Sequence, residues 1–191
     1  MTTRRKMPTQ ERKIEIVAYD PGWPGVFEAE AARLRAALKT LALRIDHHGS
    51  TAIPGLGAKP IVDIQISVAT LRPLSAYGAK LEAIEYVHVP HPDDSFCPFF
   101  HRPIRWPHTH HVHIVERGGR EERRTLAFRD YLRDHPDVAR EYEELKRSAA
   151  AQIVTVDLES QERYALGKTD FIERVVGLAV ERGYPRDWSS Q

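Results

Sequence analysis

The run over residues 45–66, IDHHGSTAIPGLGAKPIVDIQI, constrains the fold more than any other part of the chain. A β-forming stretch ends at Gly49-Ser50, a Gly- and Pro-rich stretch carries the chain to Lys59, and PIVDIQI resumes the β pattern. This reads as strand, return loop, strand, with strands over 43–48 and 60–68. Asp63 and Gln65 lie two residues apart and therefore share a strand face. On that alternation Ile61, Asp63 and Gln65 face a site, and Val62, Ile64 and Ile66 face the core. Glycine lets backbone approach a phosphate closely, and the Ser50 hydroxyl and amide can donate to its oxygens. Lys59 adds charge neutralisation to the same group. The pattern thus suits a phosphorylated ligand held beside a strand-borne carboxylate.

The remaining chain supplies helices and a few short strands. KIEIVAY at 13–19 reads as an extended segment. Asp20-Pro21 reads as a helix start, because Asp caps and Pro is preorganised for the first turn. Phe27, Ala31, Leu34 and Leu38 then recur at helical spacing, predicting a helix over 21–39 anchored by Trp23. A helix over 73–84 and a strand over 86–89 follow. Pro90, Pro92, Pro98, Pro103 and Pro107 make 90–107 mostly loop, with room for one short strand near 96–101. HHVHIVE at 110–116 alternates as a strand does, and Gly118-Gly119 breaks it. Three helices are expected thereafter, over 120–134, 136–152 and 158–182. The expected architecture is α+β: a mixed sheet with flanking helices and a C-terminal helical portion. Residues 1–12 and 184–191 read as tails around a single domain over 13–183.

Composition bounds the functional classes. At 191 residues, 41% hydrophobic and 29% charged, the chain is of ordinary globular type. A formal net charge of +1 gives no support for bulk nucleic-acid binding. The single cysteine, Cys97, excludes an internal disulfide and a CxxC metal motif, and reads as a small buried hydrophobe. The basic N-terminus has no apolar run behind it, and no stretch of about 18 apolar residues suggests a membrane span. A reducing cytoplasm fits these features. No exposed apolar seam sets an oligomeric state.

The histidines point to chemistry. Five of the ten, His101, His108, His110, His111 and His113, fall between 101 and 113. His111 and His113 share one face of their strand. Beside Asp63 they can form a two-His, one-carboxylate metal site, or a face of hydrogen-bonded imidazoles. His47 and His48 precede the Gly49-Ser50 turn. Arg102 can clamp a phosphate or carboxylate with its planar fork. The charges over 120–124 read as a solvated helix face. Arg129 and Lys168, on late helices, read as surface charges unless those helices fold over the site.

Five stretches, in order, resemble the GrpB family, which is similar in fold to the nucleotidyltransferase superfamily. They are YDPGWPGVFEAEAARL at 19–34, HHGSTAIPGLGAKPIVDI at 47–64, THHVHIVE at 109–116, LAFRDYLRDHPDVAREYEELK at 126–146 and YALGKTDFI at 164–172. The resemblance spans about 14–176. It implies that Gly49 and Ser50 hold phosphate, where the residues themselves suggest Lys59 and Arg102 as partners, and that Asp63 is the first metal-binding acid. Gln65 departs from the family pattern by standing where a second acid is expected. Histidines stand on the strand where a third would lie. The implied metal ligands are Asp63, His111 and His113, with Asp63 and His113 catalytic. The implied cofactor is a divalent metal, Mg²⁺ or Mn²⁺ or, given imidazole ligands, a Zn-like ion. The implied ligand is a nucleotide or phosphorylated small molecule, and the implied activity nucleotidyl or phosphoryl transfer. The alternatives are a non-catalytic nucleotide-binding or partner-stabilising module with a degenerate transferase site, and a metal-dependent hydrolase or lyase. Related domains fused to dephospho-CoA kinases hint at nucleotide metabolism.

Overall fold

The alternation of Val62–Val68 (β2) sorts its side chains onto two faces, and the architecture follows from what covers each. The computed structural model describes residues 14–153 and 163–186. β2 pairs antiparallel with Arg44–His48 (β1) on one side and parallel with His110–Glu116 (β5) on the other. β5 pairs antiparallel with Phe99–Arg102 (β4), and β4 with Val87–Val89 (β3). The sheet order is β1-β2-β5-β4-β3, a mixed five-stranded sheet.

On one face, Val62, Ile64 and Ile66 of β2 join Val112, Ile114 and Phe100 as a continuous apolar surface. Phe27, Ala31, Leu34 and Leu38 of the helix Trp23–Leu38 (α1) pack on it, with Tyr77 and Leu81 of Ser75–Glu82 (α2). The opposite face meets Arg120–Asp134 (α3). There Ser67 donates to Glu122, and Thr125 donates to the amide oxygen of the fully buried Gln65. Pro136–Ala151 (α4) and Thr169–Glu181 (α5) complete a second core, in which Ala127, Tyr131, Tyr142, Val175 and Ala179 surround Ile53 and Leu56. Those last two belong to the loop between β1 and β2, so the loop is anchored in the helical layer.

The expected α+β class stands, and several details differ. The expected flanking helices cover both faces of the sheet, and the C-terminal helices pack as a layer on one of them. α1 begins two residues later than Asp20-Pro21 suggests. The Asp20 carboxylate accepts the Gly22 N–H at 2.7 Å and its carbonyl accepts the Trp23 N–H at 3.1 Å, closing a turn before the helix. The segment at 14–19 makes only the Val17–Ala58 bridge. β4 starts at Phe99, because Pro98 cannot donate to a ladder and 92–95 coil into a 3₁₀ turn. The helix expected over 158–182 is broken. Residues 163–166 are helical, Gly167-Lys168 form a turn, and α5 starts at Thr169. Residues 154–162, and the tails at 1–13 and 187–191, lie outside the described residues. No helix of the described residues is long and apolar enough to cross a membrane.

Ile64 is fully buried at the centre of the sheet. Ile64→Ala should lower unfolding free energy by about 2–5 kcal/mol, read from urea denaturation, because the rigid sheet cannot collapse into the space left.

Candidate functional site

The site is built where β1 turns into its loop. Gly49 has φ +68°, a conformation that L side chains rarely adopt. A Cβ there would lie 2.8 Å from the Asp63 Cβ and collide with the Asp63 carboxylate. Glycine thus brings the Gly49-Ser50 backbone directly against Asp63. Residues Ser50–Ala52 then coil into a 3₁₀ turn.

The loop is not part of the sheet ladder, so side chains from the helical layer serve its backbone. Arg129 of α3 donates to the His47 carbonyl at 3.1 Å, and Arg133 donates to the Ala52 carbonyl at 2.9 Å. Glu143 of α4 accepts the Gly57 N–H at 2.7 Å, and Lys146 donates to the Gly57 carbonyl. Lys146 Nζ also donates to Ser50 Oγ at 3.0 Å.

Asp63 faces His48 in β1 and His111 in β5 across the ladder, so all three project from one face. His111 Nδ1 lies 3.3 Å from Asp63 Oδ1, which places the proton on Nδ1. In the neutral ring, His111 Nε2 then accepts from His108 Nδ1 at 3.2 Å. His108 stacks on His101 with centroids 3.8 Å apart. His113 stands edge-on to His48 at 5.0 Å, and its Nδ1 is 3.8 Å from Cys97 Sγ. Burial works to raise the Asp63 carboxyl. The hydrogen bond from His111 and the charges of His111, His48 and His113 outweigh it and hold Asp63 well below the usual carboxylate range. Burial pushes His48 down to about 3 and His113 down to about 4, so both rings are neutral at pH 7.

Three amines gather around this acid. Lys59, from the end of the loop, sits 5.2 Å over the Tyr164 ring, and Lys168 sits 4.0 Å over the same ring. Burial lowers Lys59, and Asp63 partly opposes this. Burial and the neighbouring Lys59 bring Lys168 down to about 8. Burial brings Lys146 down to about 7, with Lys168 and Arg147 adding to the effect against Glu143 and Asp63. Lys168 reaches this position because the Gly167-Lys168 turn breaks the helix.

The structure therefore brings Gly49, Ser50, Lys59, Asp63 and His111 together, with His113 beside His48. It does not bring Arg102. The β4–β5 register puts Arg102 opposite His110, on the face away from Asp63. Its guanidinium pairs there with Glu30 of α1 at 3.2 Å, beside a groove of about 820 Å³. The reason is parity: Arg102 is one residue past His101, so its side chain crosses the sheet. Lys146 and Tyr142 carry no site signal of their own in the sequence, and Lys168, which reads as a surface charge unless its helix folds over the site, meets that condition. The only signal for them was their place in the 126–146 and 164–172 stretches that carry the family resemblance.

The donors do not fit a metal held by three protein groups. Among the described residues no cluster of three or more His, Cys, Asp or Glu is placed to hold one. Gln65, at the position of the expected second acid, is sealed under α3 with its oxygen bonded to Thr125.

A mixed sheet flanked by helices, with a glycine-serine turn against a strand-borne acid, is consistent with a nucleotidyltransferase-like α+β protein. The sequence matches the GrpB protein family over residues 13–177, and the chain belongs to that family. It is 38% identical over 171 residues to a UPF0157 protein of Pseudomonas aeruginosa, covering 88% of this chain and 68% of that one. It is 36% identical over 163 residues to the UPF0157 protein YqkA of Bacillus subtilis, covering 85% of this chain and 46% of that one. The crystal structure of the conserved protein GrpB from Enterococcus faecalis superposes with a TM-score of 0.77 at 32% identity, covering 88% of this chain and 98% of that one.

Two measurements check this geometry. Gly55 also has a positive φ, +80°, but open space around its Cα. Gly55→Ala should cost about 1 kcal/mol in urea unfolding, and Gly49→Ala roughly 3 kcal/mol or more, the excess reporting the Asp63 contact. Burial also lowers His47 to about 4 and His48 to about 3. The unfolded chain takes up these protons near pH 6.5 and the folded protein does not. Stability is therefore full above pH 6.5 and falls as pH drops toward 4, by up to about 1.4 kcal/mol per pH unit for each ring. Urea midpoints at pH 7.5, 5.5 and 4.5 read this slope, and His48→Gln should flatten it.

Proposed function

We propose that the protein binds a nucleotide or another phosphorylated small molecule over the 49–59 loop and transfers a phosphoryl or nucleotidyl group from it. The observation that carries this reading is the convergence of three amines, Lys59, Lys146 and Lys168, on one turn whose backbone and hydroxyl already suit phosphate. Amines drawn together, one of them (Lys146) buried and two (Lys59 and Lys168) half-buried, are costly unless an anion offsets them. Asp63 supplies one negative charge, and a ligand's phosphates would supply the rest. Asp63 stays ionised at neutral pH because His111 donates to it, so its charge favours the protonated forms of Lys59 and Lys168 before ligand arrives. The cytoplasm, with its pool of phosphorylated metabolites, belongs to the same reading.

Metal-dependent transfer, which the family resemblance implies, is not favoured by the donor set just described, and no step is assigned to a metal. The second reading, a binding module with a degenerate transferase site, is favoured by one observation: Gln65 is neutral, buried and committed to Thr125.

Thermal unfolding with ATP, with and without Mn²⁺, tests ligand binding. ATP should raise Tm by several degrees, and Lys59→Met or Lys168→Met should each weaken the apparent Kd about ten- to a hundredfold, the worth of one charge-assisted hydrogen bond. No stabilisation by ATP or by other phosphorylated metabolites would sink the reading. Radiolabelled ATP separates transfer from simple binding: label transferred by the wild type and lost in Asp63→Asn supports transfer, and tight binding without turnover supports the module.

A further inference from the structure

Lys146 is only 2% exposed. Its Nζ is spent on the Ser50 Oγ, at 3.0 Å, and on the Gly57 carbonyl. The Tyr142 ring, four residues earlier on the same helical face of α4, lies 4.8 Å from Nζ. Ser50 is thus held by a buried amine from α4. Ser50 itself is half-buried, so the residue is not sealed off as Lys146 is. Lys59 and Lys168 remain to face phosphate oxygens. A serine that merely binds phosphate needs no buried amine behind it. A serine that attacks needs a base within hydrogen-bond reach, and lysine fills that role in serine–lysine pairs.

We propose that Ser50 is itself a nucleophile with Lys146 as its general base, and that it accepts a phosphoryl group from the ligand bound over the loop. This rests on the phosphorylated-ligand reading above and names the acceptor that it leaves open. With the amine neutral, the 3.0 Å contact reverses: the Ser50 O–H donates and Nζ accepts. Burial brings Lys146 down to about 7, so a large share of it is neutral at physiological pH. Asp63 cannot serve in its place, because His111 holds it too acidic to take a proton from an alcohol. In the step, the Ser50 proton passes to Nζ and Oγ forms a bond to phosphorus. The bond from phosphorus to the leaving oxygen breaks, and that oxygen, on the far side of phosphorus from Oγ, keeps the electron pair and takes a proton from solvent, while the proton on the Lys146 ammonium is returned to solvent. Lys59 and Lys168 neutralise the charge that develops on the phosphoryl oxygens.

An alkyl fluorophosphonate tests the nucleophile without knowledge of the natural ligand. Oγ displaces fluoride and leaves a stable phosphonyl-serine that peptide mass mapping locates. Ser50 in the full-length protein should label at least about a hundredfold faster than the exposed Ser75 and Ser95 in the same sample, as general-base activation requires. Ser50→Ala should lose that label. Lys146→Ala should slow it at least about tenfold, and added ethylamine should restore part of the rate, which a structural role for Lys146 would not predict. Labelling of Ser50 no faster than of Ser75 and Ser95 in the wild type overturns the proposal, whatever the variants do. The ATP-induced Tm shift is read in parallel on unlabelled protein. A shift without Ser50 labelling removes this inference and leaves the ligand reading standing. Ser50 labelling without a shift removes the ligand reading and leaves an activated serine.

Discussion

The contact between the Gly49 backbone and the Asp63 carboxylate is the constraint on which the site depends. It exists because glycine tolerates φ +68° and has no Cβ to keep the acid away. Once the turn lies against β2, the residues up to 61 cannot join the sheet, and their polar backbone groups need other partners. Arg133 of α3 and Glu143 and Lys146 of α4 provide them, and Arg129 reaches the His47 carbonyl of the adjoining strand β1. The helical layer and the loop therefore require each other. Ile53 and Leu56 reinforce the link by burying in the helical core.

That arrangement also sets the chemistry. An amine drawn in to satisfy a loop carbonyl loses water, and desolvation lowers its proton affinity. Lys146 is the clearest case, and Lys59 and Lys168 follow it through burial and mutual repulsion. The opposite trend acts on Asp63, where donation from His111 outweighs burial. The result is an ionised acid beside amines whose proton affinity is lowered. Such a cluster balances only partly by itself, which is the physical reason to expect an anionic ligand.

The relation to the GrpB family sits comfortably with this picture, since four of the five stretches that carry the family pattern meet at the site, the fifth, 19–34, forming α1 on the other face of the sheet. Residues 47–64 form the turn and the acid. Residues 109–116 bring His111 beside it, 126–146 bring Arg129, Arg133 and Lys146, and 164–172 bring Lys168. The departure at Gln65 is also intelligible. Its side chain points at α3 and not at the turn, so a carboxylate there would be buried against Thr125 without a counter-charge.

What the sequence by itself determined was local. Period-two alternation sorted Val62, Ile64 and Ile66 from Asp63 and Gln65, and glycine, proline and helical spacing marked most element boundaries. These features depend only on neighbours along the chain. The tertiary structure alone decided which distant charges meet. Arg102 and His101 are adjacent in sequence, yet the pleat sends them to opposite faces, and Arg102 ends on Glu30. Lys146 and Lys168 look like solvated helix charges in sequence because nothing local says which way a helix will face. Their roles follow from α4 and the Gly167-Lys168 turn closing over the 49–59 loop, a long-range fit set by packing and by unsatisfied backbone groups.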